Sequence, residues 1–386
     1  MNNKKLSISF LGSAASIHMF KWAKYFSDQG HQVHLFSYND QNQDYGIRNL
    51  KLHIIRKKIP IQIWPFNTLL NLPFILFEIG KLIKEIKPDI VHAHYVTSYG
   101  TLAALLGFHP LVITAWGSDI LVTPKKFLPS KWTVKYALSK SDLITCDAEH
   151  VKEAMIKLGA EESKIRIINF GIDTKKFSPG PADEKLKKEL EISDFKTVIS
   201  LRSLEPIYDI ETLIRAIPLV LKEFPKTKFL IIGRGSQEEE LKSLAEDLKV
   251  GENTKFLGWV PNEELPKYLR VADIYVSTSL SDGGIAASTA EAMACGLPVV
   301  ITDSGENKEW VRENSGGFLI PIKNPKILAE RIIYLLKNDD LGRKFGEINR
   351  KIIEEKNNYY KEMKKMEQIY YELVKNMAPI INKIKN

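Results

Sequence analysis

Short apolar runs and amphipathic helical segments alternate along nearly the whole chain, and this alternation limits the possible folds more than any other feature. The first cycle contains an apolar run at 6–11 and apolar residues at helical spacing from Met19 to Phe26. A second apolar run begins at Val33, after Gly30. Strands of a parallel sheet are buried on both faces and are joined by helical crossovers. The pattern therefore predicts an α/β protein with doubly wound parallel sheets.

One interruption of the alternation predicts two domains. Residues 169–181 are dense in Gly, Pro, Asn, Asp and Ser, which favour turns, and a new series of apolar runs begins beyond them. We expect a first domain at 1–175, a second at 190–345 and a C-terminal helical segment at 346–386 that packs back on the body. The predicted strands are 6–11, 33–36, 90–93, 111–115, 143–146, 165–168, 197–201, 229–232, 255–257, 274–278 and 299–302.

Composition excludes several classes of protein. A chain of 386 residues with 44% hydrophobic and 26% charged residues is long and apolar enough for sizeable cores, which excludes a mostly disordered chain. The two cysteines, Cys146 and Cys295, lie in apolar runs and cannot build a disulfide framework or a zinc cluster. A reducing, cytoplasmic location fits this usage.

The basic excess is modest. Lys and Arg number 55 against 47 Asp and Glu, a formal charge of +8. Such an excess suits phosphorylated ligands, an anionic membrane or nucleic acid. No nucleic-acid motif accompanies it, so we expect no nucleic-acid partner.

The segment 59–83 is apolar but is interrupted by Pro60, Pro65 and Pro73, which argues against an ordinary membrane-spanning helix. Two interpretations stay open for this segment. It forms a loop and helix beside the ligand cleft, or it contacts a bilayer or a lipid-linked acceptor. Peripheral contact with the inner face of the cell membrane is therefore one possible partner interaction.

A loop at 279–285 has the composition of a phosphate site. It contains Ser, Asp and two Gly residues, follows an apolar run and precedes a helix of small residues. Glycines let a ligand approach the backbone closely, and the amides at a helix start favour phosphate. The carboxylates of Asp282 and Glu291 accept hydrogen bonds only, as sugar hydroxyls or a ribose diol require. In doubly wound folds such loops lie at the carboxyl ends of the strands, where ligands bind.

The run Glu-Ala-Met-Ala-Cys-Gly-Leu-Pro-Val-Val at 291–300 resembles the C-domain motif of the retaining glycosyltransferase family four, enzymes of GT-B fold. Further pieces resemble family segments in the same order and extend the resemblance from about residue 6 to 321. They are Gly-His-Gln-Val at 30–33, Pro-Asp-Ile-Val-His-Ala-His at 88–94, the interdomain segment 169–177, Leu-Gly-Trp-Val at 257–260 and the loop 305–311.

The resemblance implies two Rossmann-like domains facing across a cleft and an enzyme that transfers a sugar from a nucleotide diphosphate donor with retained anomeric configuration. It also implies that the donor is a co-substrate and that no metal or other cofactor is bound. Glu291 matches the family's ribose-binding glutamate, and Arg202 matches the arginine at the diphosphate. We expect a hexosyl or N-acetylhexosaminyl unit, from a UDP-sugar rather than a GDP-sugar. The acceptor would be a glycan, a lipid-linked molecule or another glycoconjugate.

The expected site residues fall into three groups. The catalytic candidates are Arg202, Asp282, His94 and Asp119. The donor-binding candidates are Gly12, Arg202, Tyr208, Gly233, Gly235, Gly283, Gly284 and Glu291. The acceptor-side candidates are His18, His92, Trp116 and Ser118.

The chain departs from the family pattern at three places. The family's first glutamate would fall eight positions before Glu291, where this chain has Gly283, and the nearest acid is Asp282. The family's lysine after the arginine has no clear counterpart, although Tyr208 stands near that position. Trp116 replaces the histidine of a His-Gly pair. We interpret these changes as an active branch with altered donor contacts.

Alternatives remain at the level of single residues and of the whole protein. Asp282 could cap a helix, Trp116 and His92 could be packed residues, and the glycines at 233 and 235 could serve only a strand-to-helix turn. A nucleotide-sugar epimerase or hydrolase on the same scaffold is one rival function. A non-catalytic nucleotide-sugar binding subunit is the other.

Overall fold

The structure is a computed structural model that divides the chain into two compact units. Unit 1 comprises Met1–Phe170 and Lys361–Asn386, and unit 2 comprises Gly171–Tyr360. The residues that the structure describes are 4–38, 46–56, 66–126, 128–282, 284–312 and 314–385.

Unit 1 is built on a parallel sheet whose order, β3-β2-β1-β4-β5-β6-β7, is that of a doubly wound fold. Its strands are β1 (Ser7–Leu11), β2 (Gln32–Ser37), β3 (Leu50–Ile54), β4 (Ile90–His94), β5 (Leu111–Thr114), β6 (Leu143–Cys146) and β7 (Ile165–Ile167). Its helices are α1 (Ile17–Asp28), α2 (Phe66–Ile86), α3 (Thr101–Leu106), α4 (Ser118–Leu121), α5 (Thr123–Lys126), α6 (Leu128–Lys140) and α7 (Glu149–Lys157).

Unit 2 repeats this plan with a parallel sheet of order β10-β9-β8-β11-β12-β13. Its strands are β8 (Lys196–Ser200), β9 (Thr227–Ile232), β10 (Thr254–Gly258), β11 (Ile274–Ser277), β12 (Val299–Thr302) and β13 (Gly317–Ile320). Its helices are α8 (Glu184–Glu189), α9 (Ile210–Glu223), α10 (Glu238–Asp247), α11 (Leu265–Arg270), α12 (Ala287–Ala294), α13 (Asn307–Trp310), α14 (Pro325–Lys337) and α15 (Asp339–Lys356).

The predicted class, an α/β protein with two doubly wound parallel sheets, is confirmed. The eleven predicted strands are present with small changes at their ends, but β3 and β13 were not predicted. β3 lies at the edge of its sheet and is only partly buried, so its apolar residues alternate with Lys51 and His53. β13 is also an edge strand, and it is short and begins with a glycine.

Of the apolar segment 59–83, residues 59–65 lie outside the described part of the chain and the remainder belongs to α2. No helix among the described residues is long and apolar enough to cross a membrane.

The long C-terminal helix α16 (Tyr359–Lys385) passes from unit 2 into unit 1 after Tyr360. Met363, Met366 and Tyr370 on this helix are fully buried, and the ring of Tyr370 lies 5.0 Å from that of Phe26 on α1. α16 therefore completes one side of the core of unit 1.

A buried histidine also fixes the docking of α16. The backbone amide of Leu6 donates to Nδ1 of His31 at 3.0 Å, so the ring proton resides on Nε2 in the neutral form. Nε2 then donates to Oε1 of Glu367 on α16 at 2.9 Å. Because His31 is inaccessible to solvent, this hydrogen bond selects one position of the helix on unit 1.

A chain of buried polar groups links α16 to the sheet of unit 1. Nδ1 of His92 on β4 contacts the hydroxyl of Tyr370, and Nε2 lies 2.6 Å from Oγ1 of Thr114 on β5. Oγ1 of Thr114 lies 2.6 Å from Oγ1 of Thr145 on β6. All four side chains are buried, so each depends on the others for hydrogen bonding.

In unit 2, α15 holds the end of α12. Arg350 of α15 donates to the carbonyl of Ala294 at 2.8 Å and to that of Phe177 at 2.7 Å. A Cβ atom at position 346 would overlap the backbone oxygen of Gly296, so the close approach of α15 requires glycine there. These contacts fix the helix that carries Glu291.

We predict that Tyr370→Phe lowers the free energy of unfolding by about 1–3 kcal/mol, because it leaves a ring nitrogen of His92 buried without a partner. Tyr371→Phe is the matched control, since Tyr371 neighbours it on α16 and is only half-buried. Denaturant-induced unfolding of both variants measures the difference. Equal stability of the two would contradict the proposed dependence of His92 on the Tyr370 hydroxyl.

Candidate functional site

The candidate donor residues of unit 2 lie at the carboxyl edge of its sheet. Arg202 follows β8, and Tyr208 lies in the helical turn before α9. Asp282 follows β11 and precedes α12, which carries Glu291. β8 and β11 are hydrogen-bonded neighbours, so the two loops that follow them meet although they are about eighty residues apart.

A buried ion pair forms the centre of this edge. Nη2 of Arg202 lies 2.6 Å from Oδ1 of Asp282, and the two side chains are 8% and 6% exposed. Ser279 and Ser288 add weaker contacts to the guanidinium at 3.4 and 3.5 Å. The ring of Tyr208 covers the guanidinium, with Cζ of Arg202 4.3 Å from the ring centroid. A cation–π contact of this kind stabilises a desolvated arginine by about 2 kcal/mol.

Two polar atoms beside the ion pair have no hydrogen-bond partner among the described residues. They are Nε of Arg202 and Oδ1 of Asn307, both buried. The amide nitrogen of Asn307 is bound to the carbonyl of Thr302 at 2.9 Å, so its side chain is held in place. A buried donor without an acceptor costs about 1–3 kcal/mol. Nε of Arg202 is therefore a donor that the described residues leave unsatisfied.

Glu291 lies on α12 and is 6% exposed. Its Oε1 accepts from the side-chain amide of Asn262 at 3.1 Å, and Oδ1 of Asn262 accepts from Lys176 at 2.6 Å. No described side chain caps the start of α12 at Ala286. The first amides of this helix are thus available to a negative group. Gly284 lies in the bend before the helix, whereas Gly283 lies outside the described residues.

The two glycines after β9 are explained by backbone packing. A Cβ at Gly233 would overlap the carbonyl oxygen of Arg202, and one at Gly235 would overlap that of Leu204. The amide of Leu204 also donates to the carbonyl of Arg234 at 3.0 Å. This packing favours the turn interpretation of both glycines, and a contact between either one and the donor remains a prediction.

In unit 1, His94 ends β4 inside an aromatic cluster. Its ring lies 4.9 Å from that of Trp22 and 5.7 Å from that of Trp116. Both ring nitrogens are buried and have no partner among the described residues. Burial, and secondarily the charge of His18, lowers the pKa of His94 to about 3, so the ring is neutral at ordinary pH. Gly12 lies beside it, where a Cβ would crowd Met19.

Trp116 stands where the family has a histidine, and the ring of another histidine, His18, lies against it. The two rings are 4.7 Å apart and inclined at 33°. Burial, with a smaller contribution from Lys21, lowers the pKa of His18 to about 4. Both side chains are half-buried, so they line a surface that a ligand can reach.

Asp119 serves the backbone of unit 1. Oδ2 accepts from the amide of Val96 at 2.7 Å and Oδ1 from the amide of Trp116 at 3.0 Å. Burial raises the pKa of Asp119 to about 6 although both amides oppose this shift. Asp119 thus joins the segments after β4 and β5. Its exposed neighbour Ser118 lies 2.9 Å from the hydroxyl of Tyr95.

His92 was given two interpretations, an acceptor-side residue or a packed one, and its acceptor-side role stays a prediction. His92 is fully buried with both nitrogens in contact with Tyr370 and Thr114, which favours the packed interpretation.

Some polar residues at the site of unit 2 were not predicted, because they have no motif of their own and come together only where the loops meet. They are Ser288 and Asn307 around the ion pair and Asn262 beside Glu291. Ser279 belongs to the loop 279–285 that the sequence indicated, but no contact with Arg202 was predicted for it. No group of three or more His, Cys, Asp or Glu residues placed to hold a metal occurs among the described residues.

Family comparison covers both units. Residues 182–352 match the family described as "Glycosyl transferases group 1". Residues 7–148 match the family described as "Glycosyl transferase 4-like". The two matched regions fall in different units and together cover most of the chain.

Individual relatives agree with these families. The chain is 26% identical over 377 residues to an uncharacterized glycosyltransferase of Methanocaldococcus jannaschii, covering 92% of this chain and 94% of the relative. It is also 26% identical over 217 residues to a GDP-mannose-dependent alpha-(1-6)-phosphatidylinositol monomannoside mannosyltransferase of Mycobacterium tuberculosis. That match covers 54% of this chain and 56% of the relative.

Solved structures share the fold. HepE from Anabaena, in complex with UDP, superposes with a TM-score of 0.80 at 19% identity, covering 95% of this chain and all of HepE. A glycosyltransferase from Rickettsia africae superposes with a TM-score of 0.80 at 20% identity, covering 97% of this chain and all of that protein. The chain therefore belongs to the group 1, or family 4-like, glycosyltransferases of GT-B fold, which transfer sugars from nucleotide sugars.

Proposed function

We propose that the protein is a retaining glycosyltransferase that moves a hexosyl or N-acetylhexosaminyl unit from a UDP-sugar to a glycan, lipid-linked or other glycoconjugate acceptor. The observation that carries the proposal is the buried guanidinium of Arg202, whose Nε has no partner among the described residues. It lies beside the start of α12, which no described side chain caps. A guanidinium, which donates several hydrogen bonds in one plane, and the free backbone amides at the start of a helix together suit a diphosphate.

The proposed chemistry breaks the bond between the anomeric carbon and the diphosphate oxygen. Negative charge then grows on the leaving diphosphate, and Arg202 with the first amides of α12 stabilises it. The departing phosphate oxygen takes the proton of the acceptor hydroxyl while the acceptor oxygen bonds to the anomeric carbon. The protein then needs no strong base, which agrees with a neutral His94. We propose that this charge stabilisation works without a bound metal.

We assign the two carboxylates different roles. Glu291 would accept hydrogen bonds from the ribose hydroxyls, a role supported by its fixed contact with Asn262. Asp282 would orient the guanidinium of Arg202 and, once the diphosphate shares that charge, accept from a sugar hydroxyl. Among the described residues, Oδ2 of Asp282 has only a long contact, 3.5 Å, with Asn307, which leaves room for this exchange.

The remaining candidates keep the roles expected of them as proposals. His18, Trp116 and Ser118 are accessible on unit 1 and would contact the acceptor, with His94 behind them. Tyr208 would hold Arg202 in place of the family's second cation. The base of the donor is proposed as uracil because HepE, a protein of the same fold, was solved with UDP-glucose. The Mycobacterium relative, named as GDP-mannose-dependent, makes guanine the alternative.

The proposed activity is tested by incubating the protein with UDP-, GDP- and ADP-sugars, with and without an acceptor panel. We expect UDP and its sugars to raise the melting temperature, and the sugar to appear on an acceptor with or without EDTA. Epimer or rapid release of sugar without transfer would favour the epimerase or hydrolase. Donor binding without any turnover would favour the binding subunit.

Arg202→Lys should weaken UDP binding about 10- to 100-fold, because lysine keeps the charge but loses the planar fork that reaches Asp282 and the phosphate together. Arg215→Lys on α9 is the control, since Arg215 is exposed and pairs with Glu211 of its own helix. Isothermal titration calorimetry measures both. Equal UDP affinity in the two variants would remove Arg202 from the donor site.

Glu291→Gln should reduce the preference for UDP over 2′-deoxy-UDP about tenfold, because a neutral amide binds the ribose diol less strongly than a carboxylate. Glu309→Gln on α13 is the control, since this exposed glutamate belongs to the same unit. Competition binding with the two nucleotides gives the ratio. An unchanged ratio in Glu291→Gln would exclude ribose recognition by Glu291.

The turnover rate should show no ionisation of His94 between pH 5 and 8, because its pKa is lowered to about 3 and the ring stays neutral throughout. The stability of the fold, by contrast, depends on pH. The unfolded chain protonates this histidine near its ordinary pKa of about 6.5, so the free energy of unfolding falls as the pH drops below that value. Rates are therefore compared for the wild type and His94→Gln only where circular dichroism shows folded protein. A rate decrease near pH 6.5 in the wild type alone would contradict a neutral His94.

A further inference from the structure

The exposed side of α6 in unit 1 combines aromatic and basic side chains. Lys131, Trp132, Lys135, Tyr136 and Lys140 form this side, which we call the α6 outer face. The side chain of Trp132 is 75% exposed and that of Tyr136 is 39% exposed. A tryptophan that leaves most of its surface in water is unusual, and here a second exposed ring lies beside it, which makes the α6 outer face a candidate interaction surface.

The orientation of α6 is fixed by its other side. Val134, Ala137 and Leu138 are buried in the core of unit 1. Trp132 and Tyr136 are four residues apart and therefore lie one above the other on the helix. The exposure of the two rings follows from the packing of the rest of the helix.

The charged residues of α6 and of the segment before it have one sign. Between Asp119 and Asp142 the sequence contains five lysines and no acidic residue. Other surface helices differ, since α10 begins with three glutamates and pairs Lys242 with Glu238. The ammonium group of Lys140 lies 5.7 Å from the centre of the Tyr136 ring, so charge and aromatic surface are adjacent. The face is complementary to an anionic partner that also accepts aromatic rings.

Neighbouring helices extend the apolar part of this surface. α3 packs against both α2 and α6, and right-handed crossovers place all three helices on the same side of the sheet. Leu70 and Phe77 of α2 are 50% and 66% exposed, and Leu105 of α3 is 44% exposed. Exposed apolar side chains thus occur on three adjacent helices of one layer.

We propose that the α6 outer face binds the surface of a lipid bilayer that contains anionic lipids. Trp and Tyr favour the headgroup level of a bilayer, where the ring is in apolar surroundings and its polar atom is in water. Lysines near an anionic membrane each strengthen binding about five-fold. A layer with further exposed Leu and Phe side chains fits a continuous lipid surface better than the separated bases of a single-stranded RNA. The proposal goes beyond the function proposed above, and its test needs no nucleotide sugar.

Binding is tested by co-sedimentation of the full chain with vesicles of phosphatidylcholine, with and without phosphatidylglycerol, at low and high salt. We expect binding to the anionic vesicles at low salt. The triple variant Lys131→Gln, Lys135→Gln, Lys140→Gln should bind them about 100-fold more weakly. The matched control, Lys326→Gln, Lys344→Gln, Lys351→Gln, changes the charge equally at three exposed positions of unit 2 and should bind like the wild type.

A second measurement locates the contact on the protein. Brominated lipids quench tryptophan emission at short range, and this quenching should be lost in Trp132→Phe, which keeps an aromatic ring and the lysines. Trp259→Phe, at a tryptophan that is 66% exposed in unit 2, should keep the quenching.

Three outcomes would overturn the proposal. They are absence of binding to anionic vesicles, equal loss in the two lysine variants, and unchanged quenching in Trp132→Phe. Binding of single-stranded RNA, abolished by the α6 substitutions while vesicles are ignored, would assign the face to nucleic acid instead. Thermal shift with UDP, measured on the same variants, separates a failure of this proposal from a failure of the donor assignment.

Discussion

A desolvated positive charge at the end of β8 is the interaction on which the candidate site depends. Removing a guanidinium from water costs several kcal/mol unless other groups replace the solvent. In this protein the replacements come from three segments: the ring of Tyr208, the loop that carries Ser279 and Asp282, and Ser288 of α12. The loops after β8 and β11 are therefore held together by the need to compensate one charge. In the function proposed above, a diphosphate would compensate the same charge.

Much of the fold could be predicted from the sequence because buried parallel strands leave a strong apolar signal. β6 and β12 were predicted to the residue, since both faces of each are buried. The signal is weaker in β3, where partial burial at the sheet edge permits Lys51 and His53. The contact between Arg202 and Asp282 could not be predicted in the same way. It depends on the pairing of two strands distant in sequence, and no local pattern encodes that pairing.

The chemical type of a polar residue in unit 1 does not by itself reveal its environment. His92 and Asp119 both have side chains suited to proton transfer, and both make internal hydrogen bonds. His92 contacts Tyr370 and Thr114, and Asp119 accepts from two backbone amides. His92 and His94 are two residues apart on β4 and therefore lie on the same face of the sheet, so no local pattern distinguishes a histidine with hydrogen-bond partners from one without. The structure adds that information for His94, whose nitrogens have no partner among the described residues.

The packing of α16 has a consequence for the order in which the chain acquires its structure during synthesis. Met363, Met366 and Tyr370 belong to the core of unit 1, yet they are translated after all of unit 2. Domains usually fold as they leave the ribosome, the first part of the chain before the last. Here the second unit has its whole sequence available earlier than the first. We therefore expect Phe26 and His92 to stay uncovered until α16 has been synthesised and can pack on unit 1.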